Sequence, residues 1–179
     1  MRVFFIGVCG TAMGNVAILL KKQGHQVAGS DAGVYPPMSQ VLQEAGIQLF
    51  EGFSEQKLIE WNPDRVVVGN AVSRGNAQVE FVLRTRSTPF VSLPQLIGED
   101  LIQSRPSLVV AGTHGKTTTT SLASFALRQL GENPGFLVGG VPLDLPSGNE
   151  LGSVLSPFVI EGDEYLSLIH ISEPTRRRG

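Results

Sequence analysis

Residues 107–120 restrict the fold of this chain more than any other segment and read SLVVAGTHGKTTTT. An apolar run enters a turn bracketed by Gly112 and Gly115, and Lys116 follows before a stretch with helical spacing. This order predicts a strand, a phosphate-binding loop and a helix, because glycines let the backbone approach an anion that the helix N-terminus and the lysine attract. Two residues separate the glycines, where the common phosphate loop has four.

The four threonines that open this helix indicate a need for hydroxyl groups, since threonine is a mediocre helix former. A Gly-Lys-Thr sequence alone is also typical of an ordinary turn between a strand and a helix. We predict that the loop binds a nucleoside triphosphate and that the Thr117 hydroxyl coordinates magnesium. We interpret His114 as a loop residue that orients the backbone, in preference to a general base. The predicted nucleotide-binding residues are Gly112, Thr113, His114, Gly115, Lys116, Thr117 and Thr118.

A second apolar run, residues 157–160, ends in the acidic sequence Glu161-Gly162-Asp163-Glu164. Carboxylates at the carboxyl end of a strand beside a phosphate loop suit Mg²⁺, which prefers oxygen ligands shared with substrate phosphates. A solvated cluster of charges is the alternative. We predict Thr117 and Glu161 as the metal ligands.

The first half of the chain opens with a buried-strand pattern and the glycine-rich turn GVCGTAMG, residues 7–14. A helix that Gly24 ends, a second strand and then Ser30-Asp31 complete a Rossmann-like βαβ unit, with an acidic residue where a ribose hydroxyl would lie. The glycine spacing is G-x-x-G-x-x-x-G and not G-x-G-x-x-G, so it predicts a nucleotide other than NAD. Cys9 reads as a small residue that fits the turn, with a reactive thiol as the alternative.

Strands and helices continue to alternate up to about residue 104, which predicts an α/β domain with a parallel sheet wound on both faces. The polar loop at residues 69–76 follows a strand at the edge where such sheets bind ligands. It also fits a plain loop in which Asn76 caps the next helix. We therefore predict a Rossmann-like domain at residues 1–104 and the start of a phosphate-loop α/β domain at 107–165.

Composition excludes several classes of protein. The chain is 41% hydrophobic and 17% charged, which is typical of a globular protein, and its single cysteine excludes an internal disulfide. No apolar run approaches the roughly 20 residues that cross a bilayer, so we expect a cytoplasmic protein without a membrane partner. The net charge of −2 does not favour nucleic-acid binding.

The sequences GTHGKTTT, GVCGTAMG followed by GSD, and EGDE together resemble the Mur ligases, ATP-dependent enzymes that join amino acids or peptides to UDP-N-acetylmuramic acid. DAGVYPPMS, GNAVSRGN, NPGFLVGGVP and SPFVIEGDEY are most similar to the branch that attaches the tripeptide L-alanyl-γ-D-glutamyl-meso-diaminopimelate in peptidoglycan recycling. The branch that adds L-alanine is the alternative, but it usually has Ser-Ser-Ala-Ile where this chain has Gly-Asn-Ala-Val. Gly162 departs from the alanine that is usual in the family. The resemblance covers residues 1–165.

The resemblance implies a mechanism in which ATP converts the muramoyl carboxylate to an acyl phosphate, which the peptide amine then attacks. Lys116 and Glu161 would be the catalytic residues, with Lys116 on the phosphates of ATP and Glu161 on Mg²⁺. The first domain would bind UDP-N-acetylmuramate. The implied contacts are Gly10, Thr11, Ser30, Asp31 and Asn70.

Two other classes stay open from the sequence. An NAD-dependent oxidoreductase would explain the first half of the chain but leaves the loop at residues 112–117 without a role. A phosphate-loop kinase or GTPase would explain the second half only, and the Asn-Lys-x-Asp guanine loop of GTPases does not occur in the sequence.

The sequence after Tyr165 reads LSLIHISEPTRRRG and resembles a translated sequencing adapter. We expect residues 166–179 to be non-native, with a natural divergent terminus as the alternative. On this interpretation the second domain is incomplete. We then expect the strand that ends at Ile160 to lack later neighbours and to leave its apolar face partly uncovered. We also expect the chain alone to be inactive as a ligase.

Overall fold

A computed structural model describes residues 1–102, 105–140, 142, 145 and 147–162 of the chain. The chain divides into two compact units, Met1–Leu93 and Pro94–Gly179. Residues 103 and 104 lie outside the described residues, and the domain boundary predicted near them stays a prediction. The tail at residues 166–179, together with Asp163 and Glu164, also lies outside them. Within the described part of the chain, no helix combines the length and the apolarity that crossing a membrane requires.

The first unit alternates strands and helices, as predicted. Its five strands form one parallel sheet in the order β3-β2-β1-β4-β5, which is the order of a Rossmann-like sheet. The elements are β1 (Arg2–Ile6), α1 (Thr11–Lys22), β2 (Gln26–Asp31), α2 (Met38–Glu44), β3 (Gln48–Glu51), α3 (Glu55–Trp61), β4 (Arg65–Val68), α4 (Ala77–Thr85) and β5 (Phe90–Ser92).

The central strand β1 shows why the sheet is covered on both faces. Val3, Phe4, Phe5 and Ile6 are all fully buried, although successive side chains of a strand point to opposite faces. Such a strand must have apolar partners on either side, which the helices of a parallel sheet supply. The predicted α/β class with a Rossmann-like parallel sheet is therefore confirmed.

The second unit is built around a four-stranded sheet in the order β6-β9-β7-β8. Strands β6, β9 and β7 are parallel, and β8 is antiparallel to β7. Helix α5 (Leu93–Leu96) begins at the last residue of the first unit and continues into the second. The elements after it are the π-helical segment Ile97–Ile102, β6 (Ser107–Ala111), α6 (Lys116–Gln129), β7 (Gly135–Leu137), β8 (Asn149–Glu150) and β9 (Phe158–Gly162).

The position of β9 corrects one expectation from the sequence. We expected the strand that ends at Ile160 to leave its apolar face partly uncovered, and this was wrong, because β9 lies between the earlier strands β6 and β7. The expected lack of later neighbours concerns residues outside the described ones and stays a prediction. Phe158, Val159 and Ile160 are fully buried. The last described strand in the chain is thus an inner strand of the sheet, because parallel connections need not follow the order of the sequence.

Candidate functional site

The turn between β6 and α6 has the geometry expected of a phosphate loop. Gly115 is the N-cap of α6 and has a φ of 75°, in the left-handed region that favours glycine. A glycine N-cap offers no side-chain oxygen to the first N–H groups of the helix, and the first turn carries no acidic side chain. Helix N-termini of this kind attract phosphate. Lys116 lies over the turn, where its Nζ donates a hydrogen bond of 2.9 Å to the carbonyl oxygen of Gly112.

The carboxylate of Glu161 lies beside the start of α6. In the parallel pairing of β6 with β9, Glu161 is in register with Val110, so both strands end at the same edge. Oε2 of Glu161 accepts a hydrogen bond of 3.1 Å from Oγ1 of Thr117, and Oε1 accepts one of 2.7 Å from the backbone N–H of Gly139. Glu161 is only 5% exposed, so these donors stabilise a carboxylate that is largely withdrawn from water.

A hydroxyl oxygen and a carboxylate oxygen at this distance suit a magnesium ion. Magnesium takes oxygen ligands in octahedral geometry at about 2.0–2.1 Å, which puts neighbouring ligands about 2.9 Å apart. The measured 3.1 Å between Thr117 and Glu161 is close to that value. The described residues contain no group of three or more His, Cys, Asp or Glu that could hold a metal. A magnesium ion here would therefore share its shell with phosphate oxygens and water.

The run of threonines divides into different environments. Thr117, Thr118 and Thr119 are all exposed at the start of the helix, and of these three Thr117 contacts Glu161. Thr120 is fully buried, and its hydroxyl has no hydrogen-bond partner among the described residues. Thr113 and His114 are exposed in the turn. Of the four threonines, Thr117 is thus the one that meets the predicted metal ligand.

The first unit contains a cleft of about 960 Å³ at the carboxyl ends of β1, β2 and β4. Three of the predicted substrate-binding residues, Gly10, Thr11 and Asp31, line it. Asn70 is exposed directly before the cleft-lining residue Ala71 and is not itself part of the lining. Parallel sheets bind ligands at this edge, so the cleft is the candidate ligand site of the unit.

Ser30 and Asp31 support the cleft from the end of β2. The carbonyl oxygen of Ser30 accepts hydrogen bonds from the backbone N–H groups of Gly7 and Val8, and Oδ2 of Asp31 accepts one of 2.8 Å from the N–H of Cys9. The hydroxyl of Ser30 is fully buried and donates to Oε1 of Gln78. Ser30 therefore stabilises the glycine-rich turn through its backbone and does not line the cleft.

Several cleft-lining side chains were not predicted from the sequence. The loop after β2 contributes Tyr35, the first residue of α2 contributes Met38, and the loop after β4 contributes Ser73 and Arg74. Both loops lie in segments that carried the family resemblance, but nothing in their spacing indicated which side chains face the cleft. Asn76 also lines the cleft and caps α4, where its Oδ1 accepts hydrogen bonds from two backbone N–H groups.

The environment of the Cys9 thiol disfavours its thiolate form. Burial raises the pKa of Cys9, and the nearby negative charge of Asp31 raises it further. Because the thiolate is the reactive form, this environment favours a small packing residue over a nucleophile.

A comparison with protein families decides what kind of protein carries these two sites. Residues 2–104 match the model described as "Mur ligase family, catalytic domain", which is more than half of the 179 residues. The chain belongs to the Mur ligase family. The resemblance inferred from the sequence is thereby confirmed.

Curated Mur ligases are similar to the chain over nearly all of its length. The UDP-N-acetylmuramate–L-alanyl-γ-D-glutamyl-meso-2,6-diaminoheptandioate ligase of Escherichia coli K12 is 48% identical over 165 residues, which is 92% of this chain and 35% of that protein. The UDP-N-acetylmuramate–L-alanine ligase of Rubrobacter xylanophilus is 37% identical over 164 residues, again 92% of this chain and 35% of that protein. The chain therefore spans about a third of the length of these Mur ligases.

Solved structures of Mur ligases have the same fold. The murein peptide ligase of Psychrobacter arcticus 273-4 superposes with a TM-score of 0.86 at 42% identity and covers 92% of this chain and 38% of its own. The UDP-N-acetylmuramate-alanine ligase of Thermotoga maritima superposes with a TM-score of 0.80 at 28% identity and covers 90% of this chain and 36% of its own. The fold of the chain is thus that of Mur ligases of two specificities.

Proposed function

We propose that this chain supplies the UDP-sugar-binding and ATP-binding parts of a ligase that joins L-alanyl-γ-D-glutamyl-meso-diaminopimelate to UDP-N-acetylmuramate. The observation that carries the proposal is the contact of 3.1 Å between Thr117 and Glu161 beside the phosphate-loop turn. It combines the oxygen ligands of a magnesium site with an anion-binding helix N-terminus. The 48% identity to the ligase of Escherichia coli K12 that is named for this tripeptide supports the choice of substrate.

The residues of the second unit would act through charge and position. Activation of the muramoyl carboxylate forms a bond from its oxygen to the γ-phosphorus of ATP and breaks the bond to ADP; the peptide amine then attacks the carbonyl carbon, and phosphate leaves. Such a transfer depends mainly on alignment and charge neutralisation. Lys116 would lie against the phosphates, and the backbone of residues 112–115 would hold their oxygens. Thr117 and Glu161 would hold Mg²⁺, which neutralises phosphate charge when bound.

The cleft of the first unit would bind the UDP part of the substrate. Its volume of about 960 Å³ is within the range of small-molecule sites, roughly 300–1,000 Å³. Gly10 and Thr11 lie at the N-terminus of α1, whose first turn carries no acidic side chain and so suits a diphosphate. One carboxylate oxygen of Asp31 already accepts a hydrogen bond from the N–H of Cys9. This favours a role for Asp31 in holding the turn over the role of the ribose ligand in an NAD site.

The ligase that adds L-alanine is the second candidate, because such ligases share this fold. The higher identity to the tripeptide-named relatives, 48% and 44% against 37%, favours the first proposal. Both reactions consume ATP, and we propose that the reaction takes place in the cytoplasm.

A chimera tests the proposal directly. Residues 1–162 of this chain would replace the matching part of the Escherichia coli K12 ligase. The rest of that ligase would supply the remaining part of its length, which this chain does not match. We expect phosphate release that requires ATP, Mg²⁺, UDP-N-acetylmuramate and the tripeptide together. L-Alanine in place of the tripeptide is the control for acceptor specificity. A folded chimera that releases no phosphate would contradict the proposal.

Calorimetry on the unaltered chain separates the ligase from an oxidoreductase. UDP-N-acetylmuramate should bind, and NADH should bind at least tenfold more weakly, because the glycine spacing and the engaged Asp31 do not suit a dinucleotide. Tighter binding of NADH would overturn the assignment of the cleft.

A further inference from the structure

We infer that Gly139 is a positioning residue for Glu161, and this inference rests on the proposed function. Its backbone N–H holds Oε1 of the carboxylate, and its missing side chain leaves room for both oxygens. Oε2 is thereby directed toward Thr117, on the side where the metal and the phosphates would lie. Gly139 would touch neither metal nor nucleotide and would act through Glu161 alone.

The two carboxylate oxygens of Glu161 have different donors from different parts of the fold. Oε1 accepts a hydrogen bond of 2.7 Å from the N–H of Gly139, which follows β7. Oε2 accepts a hydrogen bond of 3.1 Å from the hydroxyl of Thr117 in α6. One donor on each oxygen fixes both the direction and the plane of the carboxylate. Because Glu161 is 5% exposed, water has little access to replace either donor.

Space at Gly139 is limited by the carboxylate itself. A Cβ added at Gly139 would lie 3.4 Å from both Oε1 and Oε2 of Glu161, at the edge of what neighbouring atoms tolerate. A Cβ at the next residue, Gly140, would meet only the methyl carbon of Thr117, at an ordinary 3.8 Å. Neither glycine has a positive φ, so alanine at either position is compatible with the backbone. The pair therefore separates crowding of the carboxylate from a general effect of alanine in this turn.

The turn that carries Gly139 is fixed by its surroundings. Val138 is fully buried, and its N–H donates a hydrogen bond of 2.8 Å to the carbonyl oxygen of Gly148. A Cβ on Gly148 would lie 2.5 Å from the carbonyl oxygen of Gly140, so the two backbone segments are in close contact. A donor held this way is preorganised, and preorganised partners of a ligand side chain orient it for metal binding.

The test compares Gly139→Ala with Gly140→Ala in the unaltered chain. Mn²⁺, which suits oxygen ligands as Mg²⁺ does, reports binding by electron paramagnetic resonance in the presence of a non-hydrolysable ATP analogue. Alanine keeps the backbone N–H but adds a Cβ 3.4 Å from both carboxylate oxygens, so we expect Gly139→Ala to displace the carboxylate and to weaken Mn²⁺ binding by about tenfold. Gly140→Ala should stay within about twofold, and binding of the analogue without metal should not change in either variant. Circular dichroism would show that both variants are folded.

A double-mutant cycle shows whether Gly139 acts through Glu161. In a Glu161→Gln background, Gly139→Ala should have no further effect on Mn²⁺ binding, because the group that it positions no longer carries the charge. Additive effects would overturn the inference, as would equal losses in Gly139→Ala and Gly140→Ala. If the unaltered chain binds no Mn²⁺ with the analogue, the proposed function and this inference are both contradicted. If Gly139→Ala binds Mn²⁺ as the unaltered chain does, only this inference is contradicted.

A measurement on the intact site covers the case in which Gly139→Ala does not fold. The amide proton of Gly139 should resonate downfield in the unaltered chain, because it donates to a charged acceptor at 2.7 Å. Glu161→Gln should move it upfield, while the amide of Gly135 on β7, whose N–H donates to the carbonyl of Pro157, should stay in place. An unmoved Gly139 amide would overturn the inference.

Discussion

Oγ1 of Thr117 lies 3.1 Å from Oε2 of Glu161, although 44 residues separate the two in the sequence. The contact exists because β9 pairs with β6, so that the carboxyl end of β9 lies beside the strand that leads into α6. The phosphate-loop motif alone supplies the hydroxyl. The order of the strands in the sheet supplies the carboxylate.

Removing the hydroxyl of Thr117 should weaken metal binding. Thr117→Val keeps the shape of the side chain but deletes the hydroxyl that donates to Glu161 and that we propose as a metal ligand. We expect Mn²⁺ affinity in the presence of an ATP analogue to fall by about tenfold or more, and Thr117→Ser to restore it. Thr119→Val, at an exposed position two residues along α6, is the matched control. Equal losses in both valine variants would mean that Thr117 has no special role.

Lys116 should matter for turnover more than for stability. In the chimera, Lys116→Met should lower the rate of phosphate release by roughly a hundredfold or more, as expected when one preorganised charge is removed from a transferring group. The side chain lies over an exposed turn, so the midpoint of thermal unfolding should change little. Lys22→Met, in the last turn of α1, removes a charge of the same kind far from the turn in sequence. Near-normal turnover in Lys116→Met would refute the assignment.

The reactivity of Cys9 should depend on Asp31. Burial and the charge of Asp31 raise the pKa of the thiol, so iodoacetamide should react slowly near neutral pH and faster only as the pH rises through the raised pKa. Asp31→Asn removes the charge and keeps an acceptor for the N–H of Cys9. The pKa should then fall and the alkylation rate at pH 8 should rise. Asp64→Asn is the control, because Asp64 also accepts a hydrogen bond from a backbone N–H, that of Arg2. It should leave the alkylation rate unchanged, and a similar rise in this variant would contradict the prediction.

Ser30 should contribute to stability through Gln78. Ser30→Ala leaves Oε1 of the fully buried Gln78 without its donor, which should cost about 1–3 kcal/mol of unfolding free energy. Trp61 is the single tryptophan of the chain and lies in the first unit, so its fluorescence in urea follows that unit. Ser73→Ala, at an exposed position, should change the free energy by less than about 0.5 kcal/mol. Equal stability of the two variants would show that the Ser30 contact is worth little.

The sequence alone determined the features that depend on neighbouring residues. The apolar run, the glycines and the lysine at residues 107–116 predicted a strand, a turn and a helix, and the structure has β6, a left-handed Gly115 and α6 there. The alternation of strands and helices in the first half predicted the parallel sheet that the structure shows. Backbone conformation and the period of apolar residues are local properties, and therefore they can be read from a single sequence.

Tertiary structure decided what depends on distant residues. Only the strand order placed β9 between β6 and β7, and this overturned the expectation of an uncovered strand at Ile160. The spacing also did not distinguish Asp31, which lines the cleft, from Ser30, which is buried beneath it and bonded to Gln78. The contact of Gly139 with Glu161 was not predicted at all. Each of these depends on which chain segments pack together, and the free energy of that packing is shared among residues far apart in the sequence, so no local pattern encodes it.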